Sequence, residues 1–259
     1  MNTAIPATIP RAALITGAAR RLGSAIALAL AEAGFAIALH ARDSRAEAET
    51  TSAAVRATGA GVTVLHADLT REDEVAKLIP AATASLGPIG VLINNASTFE
   101  RDEWNDVTRA SWDQHMEANL RAPFRLMQDF ARALPAAAEG VVVNMLDQRV
   151  WSLTPHFVSY TLSKAGLWTL TQTMALALAP RIRVVGIGPG PALPNLRQTA
   201  EHFRRQAETT PLGRATSPEE IARAVLAVLA LPSYTGQMLA LDGGQHLQWS
   251  PATGDSIAE

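Results

Sequence analysis

The chain has 259 residues, no cysteine and a formal net charge of −2; 48% of its residues are hydrophobic and 18% are charged. That composition supports a sizeable buried core. It excludes disulfides, thiolate metal sites, cysteine nucleophiles and a globally basic surface for nucleic acid or anionic membrane. No apolar run reaches the roughly 18 residues of a membrane span, and the opening MNTAIPATIP lacks the basic start and apolar stretch of a signal peptide. The expectation is a cytoplasmic protein with a small-molecule partner, preceded by a loose arm over 1–10.

In chain order, Ala12–Thr16 reads as a strand ending at Gly17, and Ser24–Ala33 as a helix closed by Gly34. Phe35–His40 is a second strand and Ala46–Thr58 a second helix. Further strands are expected at Val62–His66, Val91–Asn94, Val141–Met145, Arg183–Ile187 and Met238–Leu241. Helices fall at Asp73–Leu86, Trp112–Ala133, Val158–Leu178 and Pro218–Leu229. Regular alternation of this kind predicts an α/β domain over 11–249, with a parallel sheet covered on both faces. One stretch breaks the rhythm. Around 190–211 the chain is proline-rich and carries a short amphipathic piece, Gln198–Glu208, which marks a candidate lid. Residues 250–259 read as a flexible tail.

The first strand runs into Thr16-Gly17-Ala18-Ala19-Arg20-Arg21-Leu22-Gly23, with a helix behind it. A glycine turn at a helix start leaves backbone N–H groups free to meet a phosphate, assisted by the helix dipole. Where the second strand ends, an acid would bind the ribose hydroxyls of NAD, but Ala41 stands there. Arg42 follows, and Arg20 lies in the turn. Two arginines aimed at one place suit a 2′-phosphate and point to NADPH. Asp43 either caps the following helix or weakens that phosphate site. Asp68, at the end of the third strand, is placed to meet an adenine amino group, and Asn94-Asn95-Ala96-Ser97 end the fourth. Small and polar residues at the carboxyl ends of successive strands are where an open α/β sheet binds its ligand. The expected cofactor surface takes in Leu22, His40 and Leu69 as well.

Tyr160 and Lys164 are four apart in a helical segment and share a face. An ammonium beside a phenol lowers its pKa and fits it for proton transfer. His115, His156, His202 and His246 show no metal-ligand spacing, so no metal is expected. The tryptophans are assigned to packing, with Trp151 a candidate for the pocket wall.

Taken together, Thr16-Gly17…Gly23, Asn94-Asn95-Ala96, Asn119, Tyr160…Lys164 and Pro189-Gly190 resemble, in order and spacing, the short-chain dehydrogenase/reductase family, over about Ala12 to Gly244. The resemblance implies a single Rossmann-type domain with a doubly wound sheet, hydride transfer from a nicotinamide, and a homotetramer. It implies that Tyr160 is the acid/base and that Lys164 binds the nicotinamide ribose and lowers the tyrosine pKa. It further implies that Asn119 holds a relay water and that Asn95, Pro189 and Gly190 flank the cofactor.

Two departures narrow the resemblance. Arg21 stands where most members have glycine, and Asp147 stands thirteen positions before Tyr160, where most have serine. Both resemble the pteridine-reductase branch, as does the Asn94–Phe99 run. On that resemblance Phe99 stacks on a flat pterin, Arg21 reaches substrate and cofactor phosphate, and Ser97 contacts the cofactor and the substrate. Asp147 either passes a proton on towards nitrogen or holds an amino group. An ionised Asp147 would also raise the tyrosine pKa, so the Asp147–Tyr160–Lys164 trio should titrate as a set. The rival readings are a carbonyl reductase acting on a ketone such as a 3-oxoacyl thioester, and a non-catalytic NADP-binding regulator.

Overall fold

The computed structural model describes residues 4–194 and 198–248. Seven strands form one parallel sheet: β1 (Ala12–Ile15), β2 (Ala36–Ala41), β3 (Val62–His66), β4 (Val91–Asn94), β5 (Gly140–Met145), β6 (Ile182–Pro189) and β7 (Met238–Leu241). Their order across the sheet is β3-β2-β1-β4-β5-β6-β7, so this is a Rossmann-type α/β domain. The order reverses between β1 and β4, and in open α/β sheets the ligand crevice opens at such a switch point, beyond the strand carboxyl ends. Neighbouring strands keep a continuous register, with Ile15 opposite Leu39 and Ile93.

The eight helices of the described residues are α1 (Arg21–Glu32), α2 (Arg45–Ala57), α3 (Glu72–Leu86), α4 (Arg109–Met116), α5 (Ala122–Ala133), α6 (Val158–Leu178), α7 (Ala200–Glu208) and α8 (Pro218–Leu229). Strand side chains alternate between two apolar layers, since successive residues point to opposite faces. Ala13 and Ile15 join Ile26, Leu30 and Val225 on one face; Ala12 and Leu14 join Leu78, Leu126 and Phe130 on the other. This double burial explains why the strands read as continuous apolar runs.

Element boundaries differ from the sequence expectation at informative points. The helix expected over Trp112–Ala133 is interrupted by a π-helical turn, Glu117–Arg121, between α4 and α5. Pro123 has no N–H to return to the Asn119 carbonyl, so the regular ladder fails there and the wider turn absorbs the mismatch. β6 extends to Pro189, which pairs with Leu241 of β7. The segment expected to be a loose arm is anchored in part: Ile9 is buried in the core beside partly buried Ile5, and Glu139 donates its N–H to the Thr8 carbonyl. Residues 1–3, 195–197 of the candidate lid, and the 250–259 tail lie outside the described residues.

Candidate active site

A cavity of about 780 Å³ opens at the switch point, lined from the glycine turn at one end to Tyr160, residues 189–193, Gln198, Phe203 and Gln206 at the other. Nearly every residue expected at the site reaches its wall: Gly17, Arg20, Arg21, Leu22, Gly23, His40, Arg42, Asp68, Leu69, Asn95, Ala96, Ser97, Phe99, Asp147, Tyr160, Lys164, Pro189 and Gly190. Asn119 does not.

The cofactor end is built from backbone. Gly17 has φ 63°, and a Cβ there would lie 2.9 Å from the Ala96 Cα. A Cβ on Gly23 would lie 2.2 Å from the Gly17 carbonyl oxygen and 2.7 Å from the Asn95 amide, so both positions require glycine. Asn95 holds β4 to the turn, donating to the carbonyls of Thr16 (2.8 Å) and Gly17 (3.0 Å), while the Thr16 hydroxyl accepts from the N–H groups of Asn95 and Ala96. α1 starts behind this turn with no side-chain cap and no acid in its first turn. Its N-terminal N–H groups therefore suit a phosphate.

His40 is a brace in this end. The Gly17 N–H donates to its Nδ1 at 3.2 Å, so the proton sits on Nε2, which donates to the Ala67 carbonyl at 3.0 Å. Burial lowers its pKa and keeps the ring neutral. Arg42 and Arg20 share the cavity wall, as a 2′-phosphate requires. Asp43 does not cap α2 with its side chain; it accepts from Arg42 Nε at 2.7 Å in an exposed pair. Asp68 accepts from the N–H and hydroxyl of Thr70, the N–H bond being the main cause that lowers its pKa.

Arg21 has φ 58°, a left-handed conformation that favours glycine and is strained by about 1–3 kcal/mol for other residues. From it the guanidinium reaches across the mouth and donates to the carbonyls of Pro194 (2.8 Å) and Leu193 (3.3 Å). The turn and the candidate lid are thereby tied together. Phe203 and Gln206 of α7 also line the cavity.

At the chemical end, the Tyr160 hydroxyl donates to Asp147 Oδ2 at 2.8 Å. Asp147 Oδ1 accepts from the Arg149 N–H at 2.9 Å, which fixes the carboxylate at the head of a short 3-10 turn, Gln148–Val150. Burial, and then the neighbouring Asp147, push the Tyr160 pKa well above its ordinary value. Lys164 is 2% exposed; its Nζ donates to the Met145 carbonyl at 2.8 Å, and burial lowers its pKa to about 8. Its ammonium lies 5.9 Å from the Tyr160 ring centroid. Arg149, a second cation beside this pair, opposes the rise in the Tyr160 pKa.

Arg149 is the main residue that sequence reasoning missed. It is 5% exposed, its guanidinium lies 3.7 Å from Asp147 Oδ2 and its Cζ sits 5.5 Å from the Phe99 ring centroid. A lone arginine two residues beyond a strand-end acid carries no signal of its own. Phe99 stacks on Phe157 (4.6 Å, 5° between planes) and meets Tyr160 edge-on at 4.7 Å. Asn119, expected to hold a relay water, uses its amide within the protein. It donates to the Thr98 carbonyl and to Ser163 Oγ, and accepts from the Thr98 N–H and the Ser97 hydroxyl. Trp151 does not line the cavity but packs edge-on against Trp168 and His246, and Trp104, expected to pack, is exposed. Among the described residues no group of three acids or histidines is arranged to hold a metal, and no helix is long and apolar enough to cross a membrane.

Comparison with known proteins agrees with this arrangement. A family model described as Enoyl-(Acyl carrier protein) reductase matches residues 17–246. The structure of FolM alternative dihydrofolate reductase 1 from Brucella canis, complexed with NADP, is 46% identical, covers 96% of this chain and 99% of its own, and superposes with a TM-score of 0.91. The Brucella suis protein of the same name, also with NADP, is 45% identical over 97% of this chain and 99% of its own, with a TM-score of 0.89. Among curated sequences, a 3-oxoacyl-[acyl-carrier-protein] reductase FabG of Staphylococcus epidermidis is 29% identical over 92% of this chain and 99% of its own. The cis-4-hydroxycyclohexanecarboxylate dehydrogenase of Sinomonas cyclohexanicum is 33% identical over 90% and 96%. With a glycine-turn crevice joined to a buried Tyr160–Lys164 pair, the chain belongs to the short-chain dehydrogenase/reductase family of oxidoreductases.

Proposed function

We propose that this protein is an NADPH-dependent reductase of dihydropteridines, taking a substrate such as dihydrobiopterin, dihydromonapterin or dihydrofolate to the tetrahydro form. The observation that carries the reading is the Tyr160–Asp147 hydrogen bond, with Phe99 against the tyrosine ring, in the cavity that also holds the glycine turn and Arg42. The likeness to the Brucella alternative dihydrofolate reductases supports it.

When bound, NADPH supplies the hydride to the carbon of the substrate C=N bond. The chain's own residues do the rest. The Gly17–Gly23 turn and the uncapped start of α1 receive the pyrophosphate, and Arg20 and Arg42 the 2′-phosphate. Lys164 and Ser97 face the nicotinamide end. Tyr160, kept protonated by burial and by Asp147, gives its proton to the substrate nitrogen. Asp147 pins the phenol and offers an acceptor to the substrate amino group, and Arg149 tempers its charge. A serine in place of Asp147 would instead offer a neutral donor to a carbonyl oxyanion. Residues 190–194, tied to the glycine turn through Arg21, and α7 close over the substrate. The homotetramer and the cytoplasmic location belong to the same proposal; light scattering on the purified protein tests the former.

The test is NADPH oxidation followed by absorbance, with dihydropteridines compared against a panel of ketones. Dihydropteridine turnover that Tyr160→Phe abolishes and Asp147→Ala lowers supports the reading. Turnover of ketones alone overturns it in favour of a carbonyl reductase, the activity named for the FabG relative.

A further inference from the structure

One position before Tyr160, three polar side chains lie buried together outside the cavity wall: Asp102 (4% exposed), His115 (0%) and Ser159 (0%). They come from the 95–108 connection, from α4 and from α6, segments the sequence separates by up to 57 positions. Their hydrogen bonds admit one arrangement of protons. The Glu100 N–H donates to His115 Nε2 at 3.1 Å, so Nε2 carries no proton. The ring proton is on Nδ1, 2.7 Å from Ser159 Oγ. The Ser159 hydroxyl in turn donates to Asp102 Oδ2 in a short bond, and the Ser159 N–H donates to Asp102 Oδ1 at 3.1 Å.

The same acid holds the start of the catalytic helix. The Asp102 carbonyl accepts from the N–H groups of Phe157 (2.9 Å) and Val158 (3.3 Å). Phe157, at the N-cap of α6, offers no side-chain cap and has φ 57°. Another segment thus caps the helix that carries Tyr160 and Lys164, and His115 joins that segment back to the helix.

We propose that His115, as its neutral Nδ1–H tautomer, is a positioning residue. It locks the Phe99–Glu100 backbone to the N-terminus of α6 through Ser159 and Asp102, and so sets where Phe99 stands relative to Tyr160 at the substrate end of the cavity. The identity of the flat substrate rests on the proposed function; the lock itself does not. Protonating His115 would place a second N–H against the Glu100 N–H and break that join. The groups around the ring are Asp102, whose Oδ2 is 4.0 Å from Nδ1, the Glu100 charge, the Ser111 backbone on its own helix, and Ser159 and the Tyr160 ring (6.1 Å) on α6. The two acids favour the charged ring, but burial outweighs them and holds it neutral into the acid range.

Two variants separate the two sides of the ring. His115→Asn keeps an N–H near Nδ1 for Ser159 and loses the acceptor for Glu100; His115→Gln keeps an acceptor in reach of the Glu100 N–H and cannot be protonated. Hydrogen exchange of segments 98–102 and 157–161, corrected for intrinsic rate, is compared on the full chain at about pH 7.5 and about pH 4.5, the lower value set well below the ordinary histidine pKa because burial delays protonation of the ring. Wild type should be protected at the higher pH and lose protection in 98–102 at the lower. His115→Asn should exchange fast at both, and His115→Gln slowly at both. In parallel, the substrate KM should rise about tenfold in His115→Asn, the loss expected for one part-buried hydrogen bond, with kcat and the NADPH KM little changed. His115→Gln should restore it. Equal exchange in wild type and His115→Asn, or a loss confined to thermal stability with no KM effect, overturns the proposal. If His115→Asn does not fold, the acid response of wild type against that of His115→Gln decides. If wild type reduces no dihydropteridine, the proposed function falls, and the exchange measurements still judge the lock.

Discussion

The two ends of the cavity are made of different material. At the cofactor end, recognition is carried by backbone: two glycines that let chain segments touch, an uncapped helix start, and Asn95 stitching β4 to the turn. Its one buried histidine is neutral and fully engaged. At the chemical end, recognition is carried by side chains from four separate segments, joined by hydrogen bonds: Tyr160 to Asp147, the Arg149 N–H to Asp147, and Ser159 to Asp102 and His115. A backbone cradle tolerates a change of charge nearby. A network of buried, hydrogen-bonded side chains does not, because each group positions the next.

That contrast can be broken most directly at Tyr160. Tyr160→Phe should lower kcat by about 100- to 10,000-fold, the range for a lost general acid, with NADPH binding by fluorescence unchanged; a small kcat effect would mean that another group delivers the proton. Arg149→Met should come next. Removing the cation that tempers Asp147 lets the tyrosine pKa climb further, and kcat should fall about tenfold, with Arg149→Lys recovering part of it and the alkaline limb of the pH–rate profile moving up. At the other end Arg42→Ala should raise the NADPH KM about tenfold, the worth of one charged hydrogen bond, and leave the NADH KM alone. An equal effect on both cofactors would refute the 2′-phosphate assignment. The smallest effect is on stability. Burial lowers the folded pKa of His40, so its contribution is present above the unfolded value of about 6.5 and is lost as pH falls below it. Melting temperature should drop by a few degrees between about pH 7.5 and about pH 5.5.

The same contrast decides what could be read in the sequence. Strand runs such as Val141–Met145 and the Gly17–Gly23 turn are contiguous, and their chemistry follows from adjacent residues, so β3, β4, β7, α6 and α8 fall where expected. Asp147, Tyr160 and Lys164 were legible because their spacing along one stretch survives folding. Arg149, Asp102 and His115 were not. Each is an ordinary residue type whose role exists only once α4, α6 and the 95–108 connection meet. The π turn at Glu117–Arg121 was also hidden, because a proline near the start of a helical segment is common and its effect on the ladder depends on what precedes it. The hydrogen bond from the Lys164 ammonium to the Met145 carbonyl was likewise hidden, since it forms only once β5 and α6 pack together.

Among the described residues, two that are not glycine adopt positive φ, Arg21 and Phe157. One spans the mouth of the cavity; the other sits at the start of the helix bearing Tyr160. A search for heat-resistant variants would be drawn to glycine at Arg21, which is exposed and whose exchange relieves backbone strain. At Phe157 the same exchange would empty a buried site and cost more than it relieves. The glycine at position 21 would also delete the guanidinium that reaches the 193–194 carbonyls. Durability and the tie across the cavity mouth are opposed at that one residue, and selection for the first alone would erode the second.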